Sequence, residues 1–397
     1  MNRKIISAVL LSLIVLTGCS YEQSLTQQDE QSETDSDKTL DQKDGSSGEE
    51  TLKSRASVLS EGTTNLSQTE GTVLIDRKGT YQLTGKGKTV IIDAGSQSVE
   101  LELNNLILNS SDLPNLYVKD AKNVTLTLTG SNAMTCGNLP LDEDLNGALY
   151  AKSDMVFKGE GSLAVDSGFE NALKIKGEAE FQSGTWAISS MGNGIRSGKT
   201  MQFKGGSYTI HAEEEGIESK GKMIIDDGTF VISSSDDCIN ASKSIEINGG
   251  TIQGVSAGND GIDSNGDLIV NGGFVSIAGS SYPEHSFDTN GTPFEINGGK
   301  VIGIGGALVE PSAARQPVLL IGTDIRDISI VELRRDGQEP LVFELPEYDS
   351  TEACLILSDP SLREGEDVSI YVNDRKLDEV ILNKEITYAG SKKLMKE

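Results

Sequence analysis

Seven carboxylates recur on a common beat in the middle of this chain. Glu214, Glu215 and Glu218 are answered by Asp236 and Asp237, and these by Asp260 and Asp263, with Asn240 and Asn259 interleaved. Glu215, Asp237 and Asp260 are separated by steps of 22 and 23 residues. If each beat is one turn of a coil, these groups are stacked along one edge. Neighbouring strands lie about 4.8 Å apart, and two unit charges at that distance repel by about 3 kcal/mol at an effective dielectric near 20. Such a ladder strains the fold or raises carboxyl pKa values unless something neutralises it. A hard divalent cation does so: calcium takes roughly six to eight oxygens from carboxylates, amides and backbone carbonyls. With no imidazole or thiolate gathered among them, zinc and copper are disfavoured. The expected cofactor is therefore calcium, and the expected metal ligands are Glu214, Glu215, Glu218, Asp236, Asp237, Asn259, Asp260 and Asp263. The competing reading is a solvated acidic edge partly neutralised by Lys174, Arg196 and Lys220. The turns carry neither the EF-hand spacing nor the nonapeptide calcium repeat.

The beat itself comes from the elements that must hold these groups. One apolar position recurs as Leu149, Leu173, Ile195, Ile217, Ile239, Ile262 and Phe287, at steps of 24, 22, 22, 22, 23 and 25 residues. A glycine column, Gly161, Gly184, Gly206, Gly228, Gly250, Gly273 and Gly299, keeps the same time. A fixed period of this length marks a solenoid, whose units hide their apolar faces only by stacking. Within a unit, apolar and polar residues alternate, as in Met223 to Ile232, which argues for strands. Asn-Gly-Gly, Asp-Asp-Gly and Ser-Gly-Lys turns break the strands. The fold class expected is all-β: a right-handed, single-stranded parallel β-helix with a C-terminal β cap or small β domain. Two interior columns are expected: Phe157, Phe181, Phe203, Ile225, Ile247, Val270, Ile296, and Leu163, Trp186, Tyr208, Phe230, Ile252, Val275, Val301. Asn132 to Asn146 breaks the rhythm and reads as a protruding loop.

A formal charge of −27 over 397 residues disfavours nucleic acid and anionic lipid as partners and favours cations, or anions bridged by cations. Cys136, Cys238 and Cys354 are far apart, and free, shielded thiols are expected, with a Cys136 disulfide as the alternative. Arg3 and Lys4 precede an apolar run from Ile5 to Leu16, which reads as an export signal. It ends in Leu16-Thr17-Gly18-Cys19, which resembles the lipobox of bacterial lipoproteins. That resemblance implies lipidation of Cys19 and anchoring to the extracytoplasmic face of the cell membrane. The organisation expected is a signal peptide over 1–19, a disordered acidic tether over 20–66, the β-helix over 67–306 and the C-terminal cap over 307–397.

The turn sequences Asp236-Asp237-Cys238-Ile239, Asn259-Asp260-Gly261-Ile262 and Ile247-Asn248-Gly249-Gly250, with the upstream stretches at Thr80 to Gly85 and Leu116 to Thr125, together resemble bacterial carbohydrate-binding β-helix lipoproteins of pectate-lyase-like fold. The resemblance runs from about Gly71 to Tyr388. It implies calcium on acidic turns and binding of acidic polysaccharide such as polygalacturonate. Two alternatives stay open: a calcium-dependent polysaccharide lyase and a non-sugar adhesion scaffold. Bases in lyases of this kind are often Arg or Lys, so Arg196 is the candidate catalytic residue, with a charge partnership to Glu218 as its plainer reading. Neither histidine, His211 or His285, has an evident partner in the sequence.

Overall fold

The computed structural model describes residues 56–137, 144–348 and 352–391. The signal segment, Cys19 and most of the expected tether lie outside them. What is described is all β apart from one short 3-10 turn at Leu66–Gln68. Strands follow the predicted alternation: Thr229–Ser234 runs exposed, buried, exposed, buried along its length, as a strand with one face on a core must. Eleven short strands, from Ser57–Val58 through Asn171–Ile175 and Ile217–Ser219 to Phe287–Asp288, stack in parallel as one sheet. A second, 23-stranded sheet wraps the rest of the solenoid.

The two interior columns are in register. Phe157, Phe181 and Phe203 pair across adjacent strands and continue into Ile225, Ile247, Val270 and Ile296. Phe157 and Phe181 stack with centroids 4.5 Å apart, and Phe181 and Phe203 at 4.8 Å. Trp186, Tyr208 and Phe230 form the neighbouring stack, all of them buried. These rings fill the core and offer no platform to a ligand. The glycine column turns the corner beside them: Gly228 and Gly250 have φ of +131° and +82°. A Cβ on Gly250 would lie 2.6 Å from the Gly228 carbonyl oxygen, so both the conformation and the stacking require glycine there.

At the C-terminal end the parallel stacking is closed. Strand Ala353–Ser358 pairs antiparallel with both Lys300–Gly305 and Val318–Thr323. Beyond it, Leu341–Glu344, Ile330–Arg335, Asp367–Val372 and Arg375–Ile381 form a four-stranded antiparallel sheet in that order. Its inner face, including Val331, Leu333, Phe343 and Ile370, packs into one apolar cluster with Ile302, Ile304, Leu355 and Leu357. A solenoid end is an open sheet edge, and covering it removes a template for unwanted pairing; the cap expected from the sequence does this.

Two expectations are corrected, and the free thiols expected at the three described cysteines are found. Strand pairing begins ten residues before the expected boundary, where Ser57–Val58 lies parallel to Thr72–Ile75 and Gly62–Asn65 to Gly79–Gly87. These first strands are largely exposed, so they carry no apolar alternation to read. Asn132 is not in a loop but in strand Ser131–Cys136, pairing with Leu163; residues 138–143 lie outside the described set. Cys136, Cys238 and Cys354 are all free, and Cys238 is fully buried at the glycine position of its coil.

Candidate functional site

Three outward or corner columns of the 11-stranded sheet hold the predicted residues. Strand register lays Lys174 beside Arg196, Arg196 beside Glu218, Glu218 beside Asn240, Asn240 beside Asp263 and Asp263 beside Asp288. Three residues earlier, at the turn into each strand, stand Asn171, Asn193, Glu215, Asp237, Asp260 and His285. The apolar side chains between the two columns, Leu173, Ile195, Ile217, Ile239, Ile262 and Phe287, point into the core. The turn column bends back toward that core: Asn193 is 0 % exposed, Asp237 3 % and Asp260 7 %.

This burial sets the electrostatics. Burial pushes the Asp237 carboxyl up to about 8, and the charges of Asp263, Asp236 and Asp260 add to it, while the Asn240 amide pulls it back. Burial likewise raises Asp263 to about 7, reinforced by Asp288, Asp260 and Asp236. Glu215 rises to about 7 through burial and the Glu218 charge beside it. The strands stack these carboxyls in register, and burial with mutual repulsion favours their protonated forms. Side-chain amides knit it together: Asn240 Nδ2 donates to Asp237 Oδ2 at 2.9 Å and to Asp263 Oδ2 at 2.8 Å. Asn259 Nδ2 donates to Asp236 Oδ1 at 2.6 Å, and the Asp260 N–H donates to Asp237 Oδ1 at 3.0 Å. Asn259 therefore serves Asp236 through its amide nitrogen. Glu214 stands on the exposed rim of the same turn.

Glu218 differs from the other predicted ligands. It is 1 % exposed. Its Oε2 meets Arg196 Nη1 at 2.9 Å and Asn193 Nδ2 at 2.7 Å, and its Oε1 meets Lys220 Nζ at 2.5 Å. Both oxygens are occupied, so Glu218 is the centre of a closed ion-pair cluster and not a free ligand. Arg196 is accordingly its charge partner, and a guanidinium so held is no proton acceptor.

One group was missed in the sequence. His285, read as partnerless, occupies the end of the turn column. Its backbone N–H donates to Asp260 Oδ1 at 2.5 Å, and its Nδ1 lies 3.5 Å from the same oxygen. Asp260 raises the imidazole pKa, against an opposing burial effect. Asp260, His285 and Asp288 each bring a ligand atom within 4.8 Å of the others and could hold a metal ion. Spacing alone sets His285 after Asp260 in the turn column; its contact with Asp260 depends on how the irregular turn between Ser280 and Ser286 folds back. His211, by contrast, is exposed in strand Ser207–Ala212, away from the ladder.

The donor set of the central coils suits a hard cation. It is oxygen only, its carboxyls are raised by burial and mutual repulsion, and the amide oxygens Oδ1 of Asn171 and Asn193 on the preceding coils are buried without a hydrogen-bond partner. Lys174, one coil before Arg196, is half-buried, and burial followed by the charges of Lys176 and Arg196 lowers its amine to about 8.

A parallel β-solenoid carrying a stacked acidic edge is the class this geometry defines. The chain belongs to the family of carbohydrate-binding domain-containing proteins, whose family model matches residues 69–305, more than half its length. A carbohydrate-binding domain-containing protein of Acetivibrio thermocellus is 24% identical over 135 residues, covering 32% of this chain and 47% of the relative. The chain thus spans about half the length of the curated relative it matches. Among solved structures, a polysaccharide lyase-like protein from C. thermocellum, determined as a gadolinium derivative, superposes with a TM-score of 0.50 at 24% identity. That match covers 52% of this chain and 95% of the other, and it shows a shared fold.

Proposed function

We propose that this chain binds acidic polysaccharide through a divalent cation, calcium, held by its stacked acidic turns, and that a lipid on Cys19 anchors it to the outer face of the cell membrane. The observation that carries the reading is the trio Asp237, Asn240 and Asp263. One amide is shared between a buried carboxyl, Asp237, raised to about 8 and a half-buried one, Asp263, raised to about 7, a cluster with more negative charge than its protein partners neutralise. Asp236, Asp237, Asp260 and Asp263 are the residues that would hold the ion, with Glu214 and Glu215 beside them. A cation bound there supplies charge neutralisation and open coordination positions for a uronate carboxylate. The chain's own residues fix the spacing: stacking sets the carboxyls one coil apart, and the amides hold their orientation. Membership of the carbohydrate-binding family supports the sugar as partner. The test is retention of the full chain on immobilised polygalacturonate. Calcium is expected to give retention and EDTA to abolish it; undiminished retention in EDTA would rule out the cation bridge.

A polysaccharide lyase is the second reading, favoured by Lys174, whose amine is lowered to about 8, and in keeping with the lyase-like description of the structurally similar protein. In it, the free amine takes the proton from the carbon beside the uronate carboxyl. A carbon–carbon double bond forms as the glycosidic oxygen leaves with its electron pair and is protonated. Product absorbance in the ultraviolet on incubation with polygalacturonate, lost in Lys174→Gln, would establish this reading.

A further inference from the structure

The outward row that carries Asp263 changes sign along its length. Beginning at Tyr150, it runs through Lys174, Arg196 and Glu218 to Asn240, Asp263 and Asp288. Lys176 follows Lys174 on the same strand turn and is exposed. Four cations, Lys174, Lys176, Arg196 and Lys220, stand among four carboxylates, Glu170, Glu214, Glu215 and Glu218. Glu218 is already saturated by Arg196, Lys220 and Asn193. Lys174 has no ion-pair partner among the described residues. In a chain of charge −27, Lys174 and Arg196 are nonetheless like charges side by side on the row, and it is the lysine that is left without a counter-ion.

We infer that Lys174, Lys176 and Arg196 form a carboxylate-binding site for a uronate unit of the polysaccharide, separate from the cation-holding ladder. The inference rests on the acidic-saccharide reading above and adds a second, metal-independent contact to it. A half-buried ammonium without a partner is costly, and the lowered Lys174 amine is a sign of that cost. A carboxylate arriving between the two lysines supplies the missing counter-charge. Arg196 keeps one nitrogen on Glu218 and, being part-exposed, has further N–H groups to offer. Glu218 then has a stated purpose: it fixes the guanidinium without drawing a metal into the basic segment. A polyuronate lying along the row meets ammonium groups at one end and the cation-holding ladder at the other.

The experiment compares the full chain with the Lys174→Gln/Lys176→Gln double variant. Binding is measured to galacturonate oligomers and to the same oligomers as methyl esters, in calcium and in EDTA. The double variant is expected to bind the free acid about tenfold more weakly, one charge-assisted hydrogen bond's worth. Its affinity for the methyl ester and its calcium content should be unchanged, and Lys174→Arg should keep the parent affinity. Equal affinity of parent and double variant for the free acid overturns the inference, and so does an equal loss on the ester. If EDTA abolishes binding while the double variant matches the parent, the cation bridge stands and the basic site falls. If EDTA has no effect while the double variant loses affinity, the basic site stands and the cation bridge falls. A parent that binds the free acid in neither condition overturns both.

Discussion

Arg196 Nη1 lies 2.9 Å from Glu218 Oε2, one coil along the same outward row. The carboxylate is almost wholly buried and the guanidinium partly open. Removing a partner from a buried, hydrogen-bonded charge strands that charge in low dielectric. Arg196→Met is expected to cost about 2–3 kcal/mol, with Lys220 limiting the loss. Adding Glu218→Gln should recover part of it. A double-mutant cycle by urea denaturation measures the coupling; additive losses would mean the pair contributes nothing.

The ladder predicts how the metal-free protein responds to pH. Asp237 at about 8, and Asp263 and Glu215 at about 7, stand above the ordinary carboxyl values of about 4 that they regain on unfolding. Between these limits the folded chain binds more protons than the unfolded one. Their stabilising contribution is therefore complete below about pH 4 and is lost as pH rises through 7 and 8. In EDTA the melting temperature should fall from about pH 5.5 to about pH 8.5, by at least about 2–4 °C. Calcium should shrink the fall. A flat calorimetric profile in EDTA would contradict the burial of these carboxyls.

Asp263→Asn separates metal binding from folding. Only Oδ2 of Asp263 accepts from Asn240, so an asparagine can keep that bond while shedding the charge that Asp288, Asp260 and Asp236 oppose. At pH 8 in EDTA the variant should melt higher than the parent. In calcium it should melt no higher, because it holds the ion less tightly; titration calorimetry should show calcium affinity reduced by about tenfold or more.

Phe203→Ala tests the core that sets the register. Its ring stacks 4.8 Å from Phe181 and meets Phe230 edge-on at 5.1 Å. The cavity is expected to cost about 3–5 kcal/mol, measured by denaturant unfolding, with calcium content unchanged in the protein that remains folded.

Much of this architecture could be read from spacing. A solenoid places residues one period apart side by side, so the alignment of Phe157, Phe181 and Phe203, or of Arg196, Glu218 and Asn240, needs only the period. Where the beat was irregular the reading failed. His285 follows a step of 25 residues, long enough to leave its contact with Asp260 unread though its place in the column is plain, and the strands at Ser57–Val58 and Gly62–Asn65 have no apolar alternation. Asn132 reads as the start of a loop because the segment after it departs from the period, although its own strand pairs in register.

The sequence by itself determined the parallel stacking and which carboxylates neighbour one another, because periodicity is a one-dimensional property that stacking converts directly into contact. The tertiary structure alone decided what those neighbours do. Where each coil bends at its corner carried Asp237 and Asp260 toward the core, left Glu214 on the rim, enclosed Glu218 among Arg196, Lys220 and Asn193, and swung His285 against Asp260. Burial and counter-charge depend on backbone direction in three dimensions, and two acidic residues equal in spacing and type are made unequal by it.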